Sequence, residues 1–222
     1  MKQKYKFGIF DVDGTLIDSM SAYKKAFSGI LNRKFGISKE EADKYYLNSA
    51  GTPLDVQFIY MLQKNNKYFE TKEVQSMMKE FFDIVDQVDY QFYDGAINLV
   101  KELVRKKFTL FVTTGSQTSA TKNKLGKADI INCFELILGS SEIPKGPEHI
   151  EEFAKSVNLS AEEFSSQAFY CGDGARDMEI AKMFGIYAIG VAQTLSKEKL
   201  SEAGADVVVD KIGNVLELDV LE

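Results

Sequence analysis

From Asp94 onward, short apolar runs and amphipathic stretches take turns, and this alternation limits the possible folds more than any other feature of the chain. Thr109 to Thr113 is a nearly continuous apolar run, the pattern of a strand covered on both faces. Similar runs lie at Phe134 to Leu138, Ala168 to Cys171, Tyr187 to Val191 and Val207 to Val209. Between them, helical stretches are expected around Ile97, Val100, Leu103 and Val104, at Ser119 to Leu125, and from Pro147 with Ile150, Phe153, Ala154 and Val157 on one face. Two more follow at Asp177 to Phe184 and Leu195 to Ala203. Strands alternating with helices predict an α/β fold, a Rossmann-like three-layer arrangement around a parallel sheet.

The stretch from Ile17 to Tyr90 has a different character. One short strand, Phe7 to Phe10, precedes it, and then four helical patterns follow with no convincing strand. The first, Ser19 to Phe35, places Tyr23, Ala26, Phe27, Ile30 and Leu31 on one face and ends at Gly36. The second opens with Ser38 and Glu41, a capping box, and runs to Leu47. The third opens at Thr52-Pro53, a capping residue followed by proline at the first helical position, and carries Val56, Ile59, Tyr60 and Leu62. The fourth starts at Thr71 and carries Val74, Met77, Met78, Phe81, Phe82 and Val85. An all-helical block between one strand and a later α/β run reads as an inserted helical-bundle domain over residues 17–90. The core domain would then comprise residues 1–16 and 91–222.

Composition excludes several functions. A net charge of -6 and a sequence pI near 5.1 leave no basic stripe for nucleic acid. No apolar run approaches the roughly 18 residues of a membrane span. The N-terminal apolar run stops at Asp11, too soon for a signal peptide. Cys133 and Cys171 sit inside apolar segments and read as reduced thiols, which suits a cytoplasmic protein. A monomer or weak dimer is the expected state.

The chemistry gathers at strand ends. Phe7 to Phe10 runs into Asp11 and Asp13, two carboxylates that leave an extended chain on the same side unless the turn begins between them, and Gly14 lets the chain bend away. Like charges this close require a proton or a cation between them. Thr113-Thr114-Gly115-Ser116 follows the next strand, and Gly172-Asp173-Gly174-Ala175-Arg176-Asp177 follows the strand ending at Cys171. In a parallel sheet these ends meet in one crevice. Carboxylates with no histidine or cysteine cluster form a hard oxygen site suited to Mg²⁺ and a phosphate. The Thr-Gly-Ser turn offers hydroxyl and N–H groups to phosphate oxygens. Lys145 alone reads as a solvated surface lysine, His149 as an exposed helix residue, and only chain order brings Lys145 to the crevice. An EF-hand is disfavoured, because no helix precedes the loop, the third early acidic ligand is missing and Ala22 stands where the closing Glu belongs. A dinucleotide fingerprint fails because Asp177 replaces the third glycine.

Asp11-Val12-Asp13-Gly14-Thr15, the Thr114 turn, Lys145, and Gly172-Asp173 with Asp177 resemble the four motifs of the haloacid dehalogenase-like superfamily. The inserted block resembles its helical C1 cap, as in phosphoglycolate phosphatases and β-phosphoglucomutase-like enzymes. The resemblance implies a Mg²⁺-dependent phosphatase of a small phosphorylated metabolite. Asp11 would form an aspartyl-phosphate, with Asp13 as general acid and base. The metal would be held by the Asp11 side chain, the Asp13 backbone carbonyl, Asp173 and Asp177. Thr114, Gly115 and Lys145 would hold the phosphoryl group; Thr114 is chosen over Thr113 because it abuts the Gly-Ser turn. The cap loop Asn48 to Pro53, with Gly51 and Thr52, would face the substrate. Two alternatives use the same crevice: a phosphosugar mutase and a non-catalytic phosphate-binding regulatory module. Mutase relatives carry a histidine early in the first cap helix, where this chain has Tyr23. The third motif is commonly Lys-Pro-x-Pro and here reads Lys145-Gly146-Pro147.

Overall fold

A computed structural model describes residues 5–49, 52–141 and 143–221. Its centre is a six-stranded, wholly parallel sheet in the order β3-β2-β1-β4-β5-β6. The strands are β1 (Phe7–Phe10), β2 (Thr109–Thr113), β3 (Phe134–Leu138), β4 (Ala168–Gly172), β5 (Tyr187–Val191) and β6 (Val207–Val209). Side chains alternate between the two faces, as the period of two requires. Phe10, Val112, Phe169 and Cys171 pack on one face under α5 (Ala96–Arg105), while Ile9, Phe111 and Tyr170 pack on the other. The second face is covered by α7 (Pro147–Ser156), α8 (Ala161–Ser165) and α9 (Ala175–Met183). Strand β1 sits between β2 and β4, so the strand order reverses around it, and a crevice opens at its carboxyl end.

Among the described residues, four helices lie between β1 and α5: α1 (Met20–Phe35), α2 (Lys39–Asn48), α3 (Leu54–Lys64) and α4 (Thr71–Val85). They form an apolar cluster of their own around Phe27, Phe58, Met61 and Met77, all fully buried. Phe27 stacks on Phe58 with ring centroids 4.6 Å apart. Gly36 ends α1 in the left-handed conformation at φ 67°, and its N–H returns to the Asn32 carbonyl. The chain enters and leaves this bundle through two adjacent segments. Ile17 bridges Phe92 in antiparallel fashion, Asp18 N donates to Gln91 O at 2.9 Å, and Tyr93 N donates to Leu16 O at 2.9 Å.

Helix α3 starts one residue later than Thr52-Pro53 suggests. The Pro53 carbonyl accepts from Gln57 N at 3.1 Å, which makes Pro53 the cap and Leu54 the first helical residue. Helix α9 starts two residues before Asp177, which places Asp177 in its first turn. The short α8 has no counterpart in the apolar periodicity; its signal is the capping box of Ser160 and Glu163, with Glu163 N 3.2 Å from Ser160 Oγ. Cys133 and Cys171 are free thiols. Among the described residues, no helix is long and apolar enough to cross a membrane.

Candidate active site

Asp11 continues β1 by one residue, since its N–H donates to the Cys171 carbonyl at 3.0 Å. Its carboxylate therefore stands at the sheet's carboxyl edge, 4% exposed as a residue. Lys145 Nζ lies 2.7 Å from Asp11 Oδ1 and 2.6 Å from Asp177 Oδ1. Thr15 Oγ1 lies 3.2 Å from Asp11 Oδ2 and 2.9 Å from Asp173 Oδ1, so one hydroxyl spans both carboxylates. Asp177 also accepts from Tyr170 Oη at 2.9 Å and from Gly174 N at 3.0 Å. Two glycines make room. A Cβ on Gly14, which sits at φ +92°, would stand 2.2 Å from Asp173 Oδ2, and one on Gly172 would stand 2.4 Å from Asp177 Cγ.

Asp13 lies on a second, separate network. Its Oδ2 accepts from Ser116 Oγ at 2.6 Å and Thr114 Oγ1 at 3.5 Å. Its Oδ1 accepts from Tyr23 Oη at 2.9 Å and Lys124 Nζ at 3.1 Å. Lys124 reaches from α6 (Thr118–Lys127), with its Nζ 2.8 Å from Tyr23 Oη and 4.7 Å from the centre of the Tyr90 ring. Asp13 thus joins the sheet edge, the Thr114 turn and helix α1. Thr114 Oγ1 accepts from Ser116 N at 3.1 Å, which tightens that turn.

The electrostatics separate the two aspartates. Burial drives the Asp11 carboxyl well above its ordinary value; Lys145 pulls it down, while Asp177 and Asp173 push it further up. Asp173 rises to about 6, chiefly through burial and then through the Asp177 charge. Burial also works against ionised Asp13, but Lys124 and hydrogen bonds from Ser116, Lys124 and Tyr23 outweigh it and hold that carboxyl below its ordinary value. Burial alone would lower Lys145; the Asp11 and Asp177 charges reverse that and raise it.

Oxygens of Asp11, Asp173 and Asp177 come within 4.8 Å of one another. Fully ionised, three carboxylates would face one ammonium there and leave two negative charges uncompensated, which is part of why Asp11 and Asp173 are raised. Asp173 Oδ2 is buried and has no hydrogen-bond partner among the described residues. An orphaned carboxylate oxygen in an all-oxygen cluster fits a hard divalent cation. The Asp13 carboxylate stands outside this cluster, committed to its own network. Both networks line one cavity of about 750 Å³, which Thr114, Gly115 and Thr52 also line. Gly51 lies outside the described residues.

One sequence expectation is corrected. His149 is fully buried rather than exposed. Its Nδ1 lies 2.8 Å from Thr113 Oγ1 and its Nε2 3.0 Å from the Ile143 carbonyl, so it ties the loop that carries Lys145 to the end of β2. Thr113 thereby turns away from the cavity, while Thr114 turns into it. Lys145 stands in the crevice to which its order in the chain assigns it; it is 9% exposed, because two carboxylates replace its water. Sequence reasoning missed Lys124, Thr15 and Tyr170. Lys124 reads as one of several cations in the last turns of a helix, and only the fold carries it to Asp13.

Residues 8–191 match the family model for haloacid dehalogenase-like hydrolases. The chain is 25% identical over 214 residues to "Probable phosphatase IndB" of Dickeya dadantii, covering 94% of this chain and 90% of that protein. It is 23% identical over 217 residues to the validoxylamine A 7'-phosphate phosphatase of Streptomyces hygroscopicus, covering 95% and 96%. Among solved structures, a predicted phosphatase from Clostridium acetobutylicum superposes with a TM-score of 0.78 at 28% identity, covering 96% of this chain and 99% of that one.

Proposed function

The chain belongs to the haloacid dehalogenase-like hydrolase family, and from that premise we propose that it is a Mg²⁺-dependent phosphatase of a small phosphorylated metabolite. The observation that carries the reading is the division of labour between two aspartates two residues apart. Asp11 stands in the carboxylate cluster with Lys145, and Asp13 stands across the same cavity with Ser116, Tyr23 and Lys124.

In this reading an Asp11 oxygen attacks phosphorus, and the bond from phosphorus to the leaving oxygen breaks. Asp13 supplies the proton that the leaving oxygen needs, and then takes one from the water that attacks the aspartyl-phosphate. The second attack breaks the bond between phosphorus and Asp11, returns the carboxylate and frees inorganic phosphate. The contacts that keep Asp13 ionised suit its role as base. For the acid step Asp13 first takes up the proton of the incoming phosphate monoanion, and the proton that it later gains from water leaves with the product phosphate. Lys145 restrains Asp11 and offsets charge on the phosphoryl oxygens. Thr114 and the Gly115 backbone hold those oxygens. Asp11, Asp173 and Asp177, with the Asp13 carbonyl, would hold Mg²⁺, which supplies positive charge against the phosphoryl oxygens and Asp11.

Residues 17–90 serve as a cap whose movement hinges near 16–18 and 91–95, where the two connections are hydrogen-bonded side by side. Tyr23 favours hydrolysis over a mutase reaction. Burial, then the Asp13 charge, raises its phenol well above the ordinary value, so it does not exchange protons as a histidine would. Asp11→Asn and Asp13→Asn should each abolish phosphate release from p-nitrophenyl phosphate, and EDTA should do the same. Full activity in either variant rejects the assignment.

A further inference from the structure

The cavity has two unlike ends. Its floor carries the carboxylates, and the helical bundle lines the rest with Tyr46, Leu54, Val56, Met78, Phe81 and Phe82, beside the polar Tyr23, Thr52 and Gln57, of which Tyr23 donates to Asp13 and Gln57 is held by Ser49 and the Thr52 carbonyl. Met78, Phe82 and Leu54 lean on the bundle's own apolar cluster with one side and face the cavity with the other. Val56 is 47% exposed, an aliphatic side chain left open although it borders the cavity. Among the described lining residues, the one cation is Lys145, already placed between Asp11 and Asp177. Lys124, behind Asp13, is likewise committed to a carboxylate. The one charged side chain that the bundle contributes to the lining is Asp55, in the first turn of α3, where a carboxylate suits the helix dipole.

A second anionic group on the substrate would lose water against this wall and find no counter-charge, which is strongly unfavourable. An apolar group would displace water from surfaces that gain by burial. Taking the site as that of a phosphatase, we infer that its substrate is a phosphate monoester of an uncharged alcohol with an apolar or aromatic body, seated against Tyr46, Met78 and Phe82. Substrates with a carboxylate or a second phosphate beyond the transferred group are disfavoured.

The test uses phosphates of primary alcohols, so that leaving-group chemistry changes little. kcat/KM is measured with Mg²⁺ for ethyl, n-hexyl and benzyl phosphate and for 2-phosphoglycolate. Each methylene buried is worth roughly fourfold, so hexyl and benzyl phosphate should exceed ethyl phosphate by about tenfold or more, and 2-phosphoglycolate should fall below it. Phe82→Ala should lower the ratio of benzyl to ethyl phosphate, and Met78→Lys should raise the ratio of phosphoglycolate to ethyl phosphate. Calorimetry with benzylphosphonate and methylphosphonate reads the wall without turnover, and the benzyl compound should bind about tenfold more tightly. A preference for phosphoglycolate over benzyl phosphate, or equal binding of the two phosphonates, overturns the inference. Tight benzylphosphonate binding with no phosphate released from any ester would instead overturn the phosphatase reading and leave the wall assignment standing.

Discussion

Replacing Asp173 by Asn in metal-free protein isolates the strain of crowding three carboxylates into one buried cluster. The side chains are close in shape, and the Asn oxygen can still accept the hydrogen bond that Thr15 makes at 2.9 Å. What disappears is a charge whose carboxyl is held at about 6 instead of 3.8. At roughly 1.4 kcal/mol per tenfold, that difference sets a ceiling of about 3 kcal/mol against the folded state at neutral pH. The cluster titrates as a group, and its remaining members take up part of the relief. The expected gain is therefore about 1–3 kcal/mol, or roughly 3–10 °C in Tm for a chain of this size. The sign fixes the pH window. Folded wild-type protein keeps the proton to a higher pH than the unfolded chain, so its stability falls as pH rises from about 4 to about 6 and then levels off. The variant has no such proton, so the difference should be near zero below pH 4 and constant above pH 6. Thermal melts in EDTA across this range make the measurement. Adding Mg²⁺ should stabilise wild type more than the variant, because only wild type keeps the full cluster. A variant no more stable than wild type in EDTA at pH 7.5, or an equal Mg²⁺ response in both, would show that the three carboxylates are not crowded against one another in the metal-free protein.

Lys145→Met removes the cation between Asp11 and Asp177 and leaves two buried carboxylates facing each other. Urea unfolding in EDTA should show a loss of about 3–5 kcal/mol, partly restored by Mg²⁺; an unchanged midpoint would contradict the bridging geometry. Gly172→Ala places a Cβ where the Asp177 carboxyl stands. Phosphate release should drop by about tenfold or more while circular dichroism keeps the wild-type spectrum, and wild-type activity would show that Asp177 need not hold its place.

The sequence carried the strands, the inserted helices and the carboxylates plainly, because each is a local pattern. Apolar runs such as Thr109 to Thr113 mark buried strands by themselves, and Asp11 and Asp13 announce a strand end within a few residues. The order of strands in the sheet is not local. That β1 lies between β2 and β4 depends on how the crossovers pack, and alternation alone leaves it open. Convergence of distant side chains is lost for the same reason. Lys124 is 111 positions from Asp13, and nothing around it differs from a solvated helix lysine. His149 reads as polar and exposed, yet its two ring nitrogens satisfy a hydroxyl and a carbonyl in the interior. Helix α8 is too short for a periodic pattern, so its capping box was the only local sign of it.

If Asp11 is the nucleophile, one of its oxygens is bonded to phosphorus during turnover. Acid quench of enzyme mixed with radiolabelled p-nitrophenyl phosphate and Mg²⁺, followed by peptide mapping, tests it directly. A hydroxylamine-labile phosphoryl label is expected on the peptide containing Asp11, present in wild type and absent in Asp11→Asn. Turnover of p-nitrophenyl phosphate with no label on that peptide and no burst of p-nitrophenol, or a label that persists in Asp11→Asn, would rule out that bond.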